Sequence, residues 1–229
     1  MDGLWHELIA PAIAAAIGTG VGAGLAFWSE RRNRVRRVED ERVTATNVGI
    51  FSLGRILVEV SGYRHDTIDP QRDKADCWYN LAPILLPAPP TFDTAALSYL
   101  FEIKSNEAKN LPMEVNQELT RYASIIAIVH ERNQIQLNEA QPAIERGMRA
   151  LQDARQMPLD QILVYAMGGH RVLKTLQQLT EELIKMVDAA CESIPETAQK
   201  LRKIAKAQYP NRVIIQFNLP PKDIALPTS

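Results

Sequence analysis

Histidine and cysteine are the residue types here whose spacing could build a catalytic or metal site. The chain has four histidines and two cysteines: His6, His65, His130, His170, Cys77 and Cys191. A di-iron site between helices needs a glutamate three residues before a histidine, and no histidine of this sequence has one. Neither cysteine belongs to a CxxC pair or lies near a histidine at zinc-ligand spacing. We therefore predict no metal, no cofactor and a reducing compartment.

Other candidate motifs lack the context that their chemistry needs. His65 and Asp66 form a dipeptide found in metal-dependent phosphohydrolases, but those sites take further histidines from several helices. Residues 18–24 contain GxG after an alanine-rich helical run, whereas a dinucleotide site requires a preceding strand. We interpret His130, beside Glu131, as an imidazole bonded at the edge of the core. No motif supports an enzyme, and any activity would depend on scattered residues.

The first long element is an uncharged run from Leu8 to Trp28, 21 residues long. As a helix it would span roughly 32 Å, against about 30 Å for the hydrocarbon core of a bilayer. Trp5 and Trp28 bracket the run, where indole rings favour the headgroup level. A signal peptide would begin with positive charge, whereas residues 1–7 are acidic. We predict a transmembrane helix over residues 8–28, with residues 1–7 on the side of the membrane opposite the cytoplasm.

A basic cluster follows that run directly. It consists of Arg31, Arg32, Arg34, Arg36 and Arg37. The positive-inside rule places this flank in the cytoplasm, where it would also contact anionic lipid. The cluster lacks the interleaved aromatic residues of a single-strand binder, so we predict no nucleic-acid partner. The expected location is a single-pass membrane position, N-terminus outside and C-terminal domain cytoplasmic, in a bacterial inner membrane.

Small residues recur at every fourth position of the predicted span: Ala14, Gly18, Gly22 and Ala26. Such a ridge lets two helix backbones approach closely, which favours a homo-oligomer. The alternative is that glycine and alanine are simply common in membrane helices.

The remaining sequence predicts an all-α protein whose single N-terminal transmembrane helix is followed by a cytoplasmic antiparallel helical bundle. Leucine, alanine, glutamate, glutamine, lysine and arginine, all good helix formers, dominate its long segments. We divide it into a basic juxtamembrane stalk helix over residues 29–65, a proline-rich connection over 66–93, the bundle over 94–209 and an extended tail over 210–229.

Capping residues and prolines predict the helix boundaries. Asp93 is a candidate N-cap of a helix that would end near Asn110, and Pro112 would open the next. Ser193 and Glu196 have capping-box spacing and would begin a last helix ending at Gln208.

The longest regular pattern starts after Pro158 and has heptad spacing, which favours coiled-coil or bundle packing. Its apolar register comprises Leu159, Ile162, Ala166, Gly169, Leu173, Leu176, Thr180, Leu183, Val187 and Ala190. One side of the following helix is basic, through Lys200, Arg202, Lys203 and Lys206. We interpret that side as a solvated face.

Two functional hypotheses from different classes remain. The first is a membrane-anchored cytoplasmic scaffold or adaptor that holds an unidentified protein partner at the bilayer. The second is a membrane-acting effector, in which the glycine-rich helix self-associates and permeabilises the bilayer under control of the helical domain. Expression should be harmless under the first hypothesis and should depolarise cells under the second.

Overall fold

The computed structural model describes residues 10–150, 157–167 and 171–216, with side chains from residues 26–149, 157–164 and 171–216. Throughout these ranges the secondary structure is helical and contains no strand, which confirms the predicted all-α class. The described residues form six α-helices: α1 (Ala10–Tyr63), α2 (Cys77–Asn80), α3 (Asn106–Ile135), α4 (Gln141–Ala150), α5 (Leu159–Met167) and α6 (Arg171–Gln208).

Three further helical segments have other hydrogen-bond spacings. Arg64–Ile68 and Gln136–Ala140 are π-helical turns that continue from α1 and α3, and Thr94–Glu102 is a 3-10 helix. The second π turn lies directly before Pro142, which has no N–H to donate to a regular α-helical ladder. The chain therefore changes register at this proline.

The chain divides into two compact units, Met1–Thr44 and Ala45–Ser229, and the boundary falls within α1. In the first unit, nearly every described side chain is exposed. In the second, one face of α1 is buried at Ile50, Leu53, Ile56 and Val60. Their spacing of three and four residues places them along one stripe of a helix.

The core of the second unit is built mainly where α3 packs against α6. The heptad register of α6 is buried along its length, at Leu173, Leu176, Thr180, Leu183, Val187 and Ala190. Gly169 lies outside the described residues. A second apolar cluster joins α2, α4, α5 and the start of α6 through Trp78, Ile144, Ile162, Leu163 and Leu176.

The start of α3 differs from the prediction. The segment capped by Asp93 is the 3-10 helix ending at Glu102, and α3 begins at Asn106. Ser105 caps α3, because its hydroxyl accepts the backbone N–H of Ala108 at 3.4 Å. Pro112, predicted to open a helix, lies inside α3 and is buried there. The serine cap was the stronger start signal.

The predicted helix boundary at Ser193 and Glu196 was wrong, because α6 runs unbroken through Pro195 to Gln208. An interior proline costs about 3 kcal/mol. Burial of apolar residues on both sides, at Ile194, Ala198 and Leu201, offsets that cost. The Ser193 hydroxyl donates to the carbonyl of Ala189 instead of capping a new helix, at 2.8 Å.

The segment after α6 begins the predicted extended tail, and its run from Val213 to Phe217 is typical of a strand but has no obvious partner in the sequence. Its described part has no strand assignment and pairs with a side chain of α1. The amide of Asn47 donates to the Val213 carbonyl at 3.1 Å and accepts the Ile215 N–H at 3.0 Å. One side chain thus replaces a strand partner, while Phe217 lies outside the described residues.

Candidate functional sites

The predicted lipid contacts lie on α1 within the first unit. The side chains of Arg31, Arg32, Arg34, Arg36 and Arg37 are all exposed. Arg34 lies 3.6 Å from Glu30, and both side chains are mostly exposed, so this ion pair is weak. Five cations on one exposed segment form a surface that attracts anionic headgroups.

Aromatic and apolar side chains are exposed on the same part of α1. Trp28 is 59% exposed and Phe27 is 70% exposed, values that core residues do not have. The guanidinium of Arg32 lies 5.4 Å from the centroid of the Trp28 ring, at cation–π distance. This pair joins one predicted interfacial anchor to one predicted lipid contact.

The other predicted membrane residues are placed only in part. Ala14, Gly18 and Gly22 belong to α1, but their side chains lie outside those that the structure describes, and Ala26 is exposed. Trp5 lies before the first described residue.

One helix near the N-terminus is long and apolar enough to cross a membrane, judged by length and composition alone. Among the described side chains the stretch that meets this test lies within Ala26–Ile68, and 44% of it is buried inside the protein. The range Ala26–Ile68 shares only Ala26–Trp28 with the predicted span over residues 8–28. It includes the buried face of α1 in the second unit, so it does not by itself support the predicted span.

The histidines and cysteines of the described residues form no candidate metal or catalytic centre. No group of three or more His, Cys, Asp or Glu residues in this part of the chain is arranged to hold a metal ion. His130 is exposed, not bonded at the core edge as interpreted, and His65 is exposed too. Cys77 and Cys191 are free thiols, and burial raises the pKa of each. Neither is an activated nucleophile.

A fully buried arginine, Arg132, occupies the centre of the second unit. Its guanidinium donates to the carbonyls of Trp78 and Leu81 at 2.9 and 3.1 Å. It also donates to the hydroxyl of Thr180 at 3.1 Å and to the Gln136 side chain at 3.0 Å. Burial lowers the pKa of Arg132, but a guanidinium stays protonated.

This cluster fixes the proline-rich connection to α3. The Gln136 amide donates to the Tyr79 carbonyl, and the Asn133 amide donates to the Ile84 carbonyl at 3.1 Å. Chain segments without regular secondary structure still need partners for buried carbonyls. Arg132 and Asn133 near the end of α3, and Gln136 at the start of the second π turn, supply them here. Sequence reasoning missed this cluster, although Arg132 follows Tyr122, Ile125 and Val129 in the same helical register.

A partly exposed charge cluster connects the first π turn to α6. Both terminal nitrogens of Arg72 donate hydrogen bonds to the Asp188 carboxylate, at 2.8 and 2.9 Å. The Nε of Arg64 lies 3.3 Å from the same carboxylate. The hydrogen bonds from Arg72, with the charges of Arg72 and Arg64, hold the pKa of Asp188 below its usual value. A bidentate pair of this kind has a fixed geometry and acts as a structural clasp.

A buried carboxylate lies between α3 and α6. Glu118 accepts from Arg121 at 2.7 Å, and its carboxylate lies 3.0 Å from the Ser193 hydroxyl oxygen, which Arg121 also contacts. The one hydroxyl hydrogen of Ser193 is shared between this carboxylate and the Ala189 carbonyl. Desolvation by burial raises the pKa of Glu118, although Arg121 and Ser193 oppose the shift. All three side chains satisfy one another, so the group has the form of a packing contact.

Among the described residues of the second unit, two apolar surfaces are open to solvent. The first is a stripe on the outer face of α1, where Phe51 and Val58 are 61% and 70% exposed, with Leu85 of the connection 72% exposed. Val58 and Leu85 line the same shallow cavity. Exposed apolar patches on soluble surfaces commonly bind other macromolecules.

The second surface is a groove of about 300 Å³ between α1 and α6, which we call the α1–α6 groove. Its floor is apolar, with Ile50, Ile194 and Ala198 buried, and one wall is formed by Ile215 and Gln216. No protein-family model, no curated protein and no solved structure matches this chain.

Proposed function

We propose that this protein is a single-pass membrane scaffold whose helical domain holds a protein partner on the cytoplasmic side. The observation that carries the proposal is the exposed arginine cluster on α1, which follows an uncharged run in the same helix. The charges determine orientation because Lys and Arg near a span are retained in the cytoplasm. The domain over residues 94–209 is then an antiparallel bundle in the cytoplasm.

The scaffold role is supported by the surfaces of the second unit. The fold fills its centre with the Arg132 cluster and leaves the outer stripe of α1 and the α1–α6 groove open. Open apolar surfaces beside polar groups are typical of protein-binding sites.

Topology is the first test of this function. A reporter that is active only outside the cytoplasm, fused after Ser229, should be silent. Replacing the five arginines of the cluster by glutamine should yield mixed orientation and partial reporter activity, because the charge bias is lost.

A matched control changes the acidic residues that follow the cluster, as Glu39→Gln, Asp40→Asn and Glu41→Gln. Acidic residues contribute little to orientation, so this variant should stay silent. Full activity of the unaltered fusion would reverse the assignment, and a soluble, silent fusion would show that there is no anchor.

A further inference from the structure

The four basic residues near the end of α6 differ in what the fold does with them. Lys200 pairs with Glu196 at 2.9 Å and with Glu114 at 3.5 Å. Lys206 donates to the carbonyls of Pro210 and Arg212 at 2.8 and 3.0 Å, which ties down the segment after the helix. These two cations are therefore used in intramolecular contacts and do not form a merely solvated face.

Arg202 and Lys203 are the other two, and within the described part of the chain neither has an acidic partner. Both line the α1–α6 groove. The Nε of Arg202 is buried there without a hydrogen-bond acceptor. A buried N–H without an acceptor costs free energy, which an occupant bearing an anionic oxygen would recover.

The floor of the groove is apolar, whereas its edge carries the cations Arg202 and Lys203. Gly54, Pro195 and Ala198 lack the side-chain bulk to fill the space between α1 and α6, and Ile50 and Ile194 make its surface apolar. An occupant must therefore offer apolar bulk and negative charge close together. Arginine beside an apolar pocket is a frequent anchor of protein interfaces.

We propose that the α1–α6 groove binds a segment of a partner protein that carries a bulky apolar side chain next to an acidic one. The apolar side chain occupies the floor, and the carboxylate accepts hydrogen bonds from Arg202 and Lys203. This inference rests on the proposed scaffold function, for which it supplies the binding surface and the chemistry of the partner.

The probe is a library of random peptides of about 12 residues displayed on phage, a length that covers such a groove. It is selected on the full chain in nanodiscs of neutral phosphatidylcholine. Enriched peptides should carry Asp or Glu within about two residues of a bulky apolar residue, as the groove chemistry requires. Their affinity should fall about tenfold or more in the variant Arg202→Glu/Lys203→Glu.

The matched control is Lys174→Glu/Lys185→Glu, which makes the same charge change at exposed positions of the same helix. It should retain affinity within about twofold, since rim charges far from a site act weakly. A second variant, Gln199→Trp, changes an exposed residue of the groove and should weaken binding by obstruction while leaving the circular dichroism spectrum unchanged.

Several results would overturn the proposal: no enriched peptide, enriched peptides without acidic residues, or equal loss in the variant and its control. Competition by a peptide of residues 217–229 would also overturn it, because the groove would then belong to the chain's own C-terminal segment. None of these results bears on the topology reporter, so failure of the groove and failure of the anchor are distinguishable.

Discussion

The arginines between Arg31 and Arg37 and the single Arg132 carry the same guanidinium in opposite surroundings. The first five are exposed on α1. Arg132 is fully buried, and carbonyl, amide and hydroxyl oxygens accept its N–H groups. An exposed cluster can act only on what lies outside the protein, whereas a buried arginine acts on the fold. Changes in the two regions should therefore have separable effects.

Removing the first region should change location and leave the fold intact. A chain beginning at Val43 should move entirely from the membrane fraction to the soluble fraction. The core residues of the second unit, from Thr46 onward, are all retained, so this chain should be strongly helical and should melt cooperatively. A pelleted protein or a featureless circular dichroism spectrum would contradict this prediction.

Replacing Arg132 should have the opposite outcome, with location unchanged and the fold weakened. Arg132→Met leaves the buried carbonyls of Trp78 and Leu81 without donors and should lower the free energy of unfolding by about 3 kcal/mol or more. Arg132→Lys keeps the charge but offers fewer hydrogen-bond donors. Its free energy of unfolding should therefore lie between those of the unaltered protein and Arg132→Met. Urea-induced unfolding of the chain beginning at Val43 measures both.

The control for this change is Arg146→Met, an exposed arginine of α4. Its effect should stay within about 0.5 kcal/mol, as is usual for surface positions. If the Arg132 variants unfolded with the same midpoint as this control, the hydrogen bonds of the buried cluster would contribute nothing to stability.

The contrast between regions also separates what the sequence could predict from what it could not. The register of α6 was visible because each apolar position repeats along one helix, and Leu176, Leu183 and Val187 are buried as that register requires. Periodicity is a local property. The class and the course of α6 up to Ser193 followed from it.

Features that depend on contacts between distant segments were not visible. Arg132 is identifiable only once the carbonyls of residues 78–81 are known to face it, more than 50 residues away in sequence. A helix boundary was predicted at Ser193 and Glu196 because a capping signal is local and does not include the burial of Ile194 and Leu201 on either side. The groove likewise exists only after α1 and α6 approach each other.

Within the predicted span, a smaller effect would test whether the anchor self-associates. Gly22→Ile adds a β-branched side chain where a partner backbone would approach, and such interfaces contribute only about 1 to 2 kcal/mol. We expect dimer signal from residues 1–37 to fall sharply in a membrane-helix association assay, while insertion survives. Leu25→Ile, off the ridge of small residues, should change nothing. Equal signals in all three would remove the main sequence support for the effector hypothesis.

Arg72 lies between the two extremes, because it is partly exposed and pairs with Asp188. Asp188→Asn removes a carboxylate whose pKa is lowered in the folded state, first by the hydrogen bonds from Arg72. A carboxyl group whose pKa is lower in the folded protein stabilises the fold at any pH above its pKa in the unfolded chain, about 3.9. This stabilisation is lost as the pH falls through the lower pKa of the folded protein. The variant should therefore lose at most about 1 kcal/mol at neutral pH, given the exposure of the pair. The difference in unfolding free energy between the variant and the unaltered protein should be constant above about pH 5 and shrink below about pH 4.

The control is Asp73→Asn, which changes an exposed aspartate one residue from Arg72. Its unfolding free energy, measured with urea at each pH, should equal that of the unaltered protein. If the stability lost in Asp188→Asn did not change with pH, the contact between Arg72 and Asp188 would stabilise the fold through packing and not through charge.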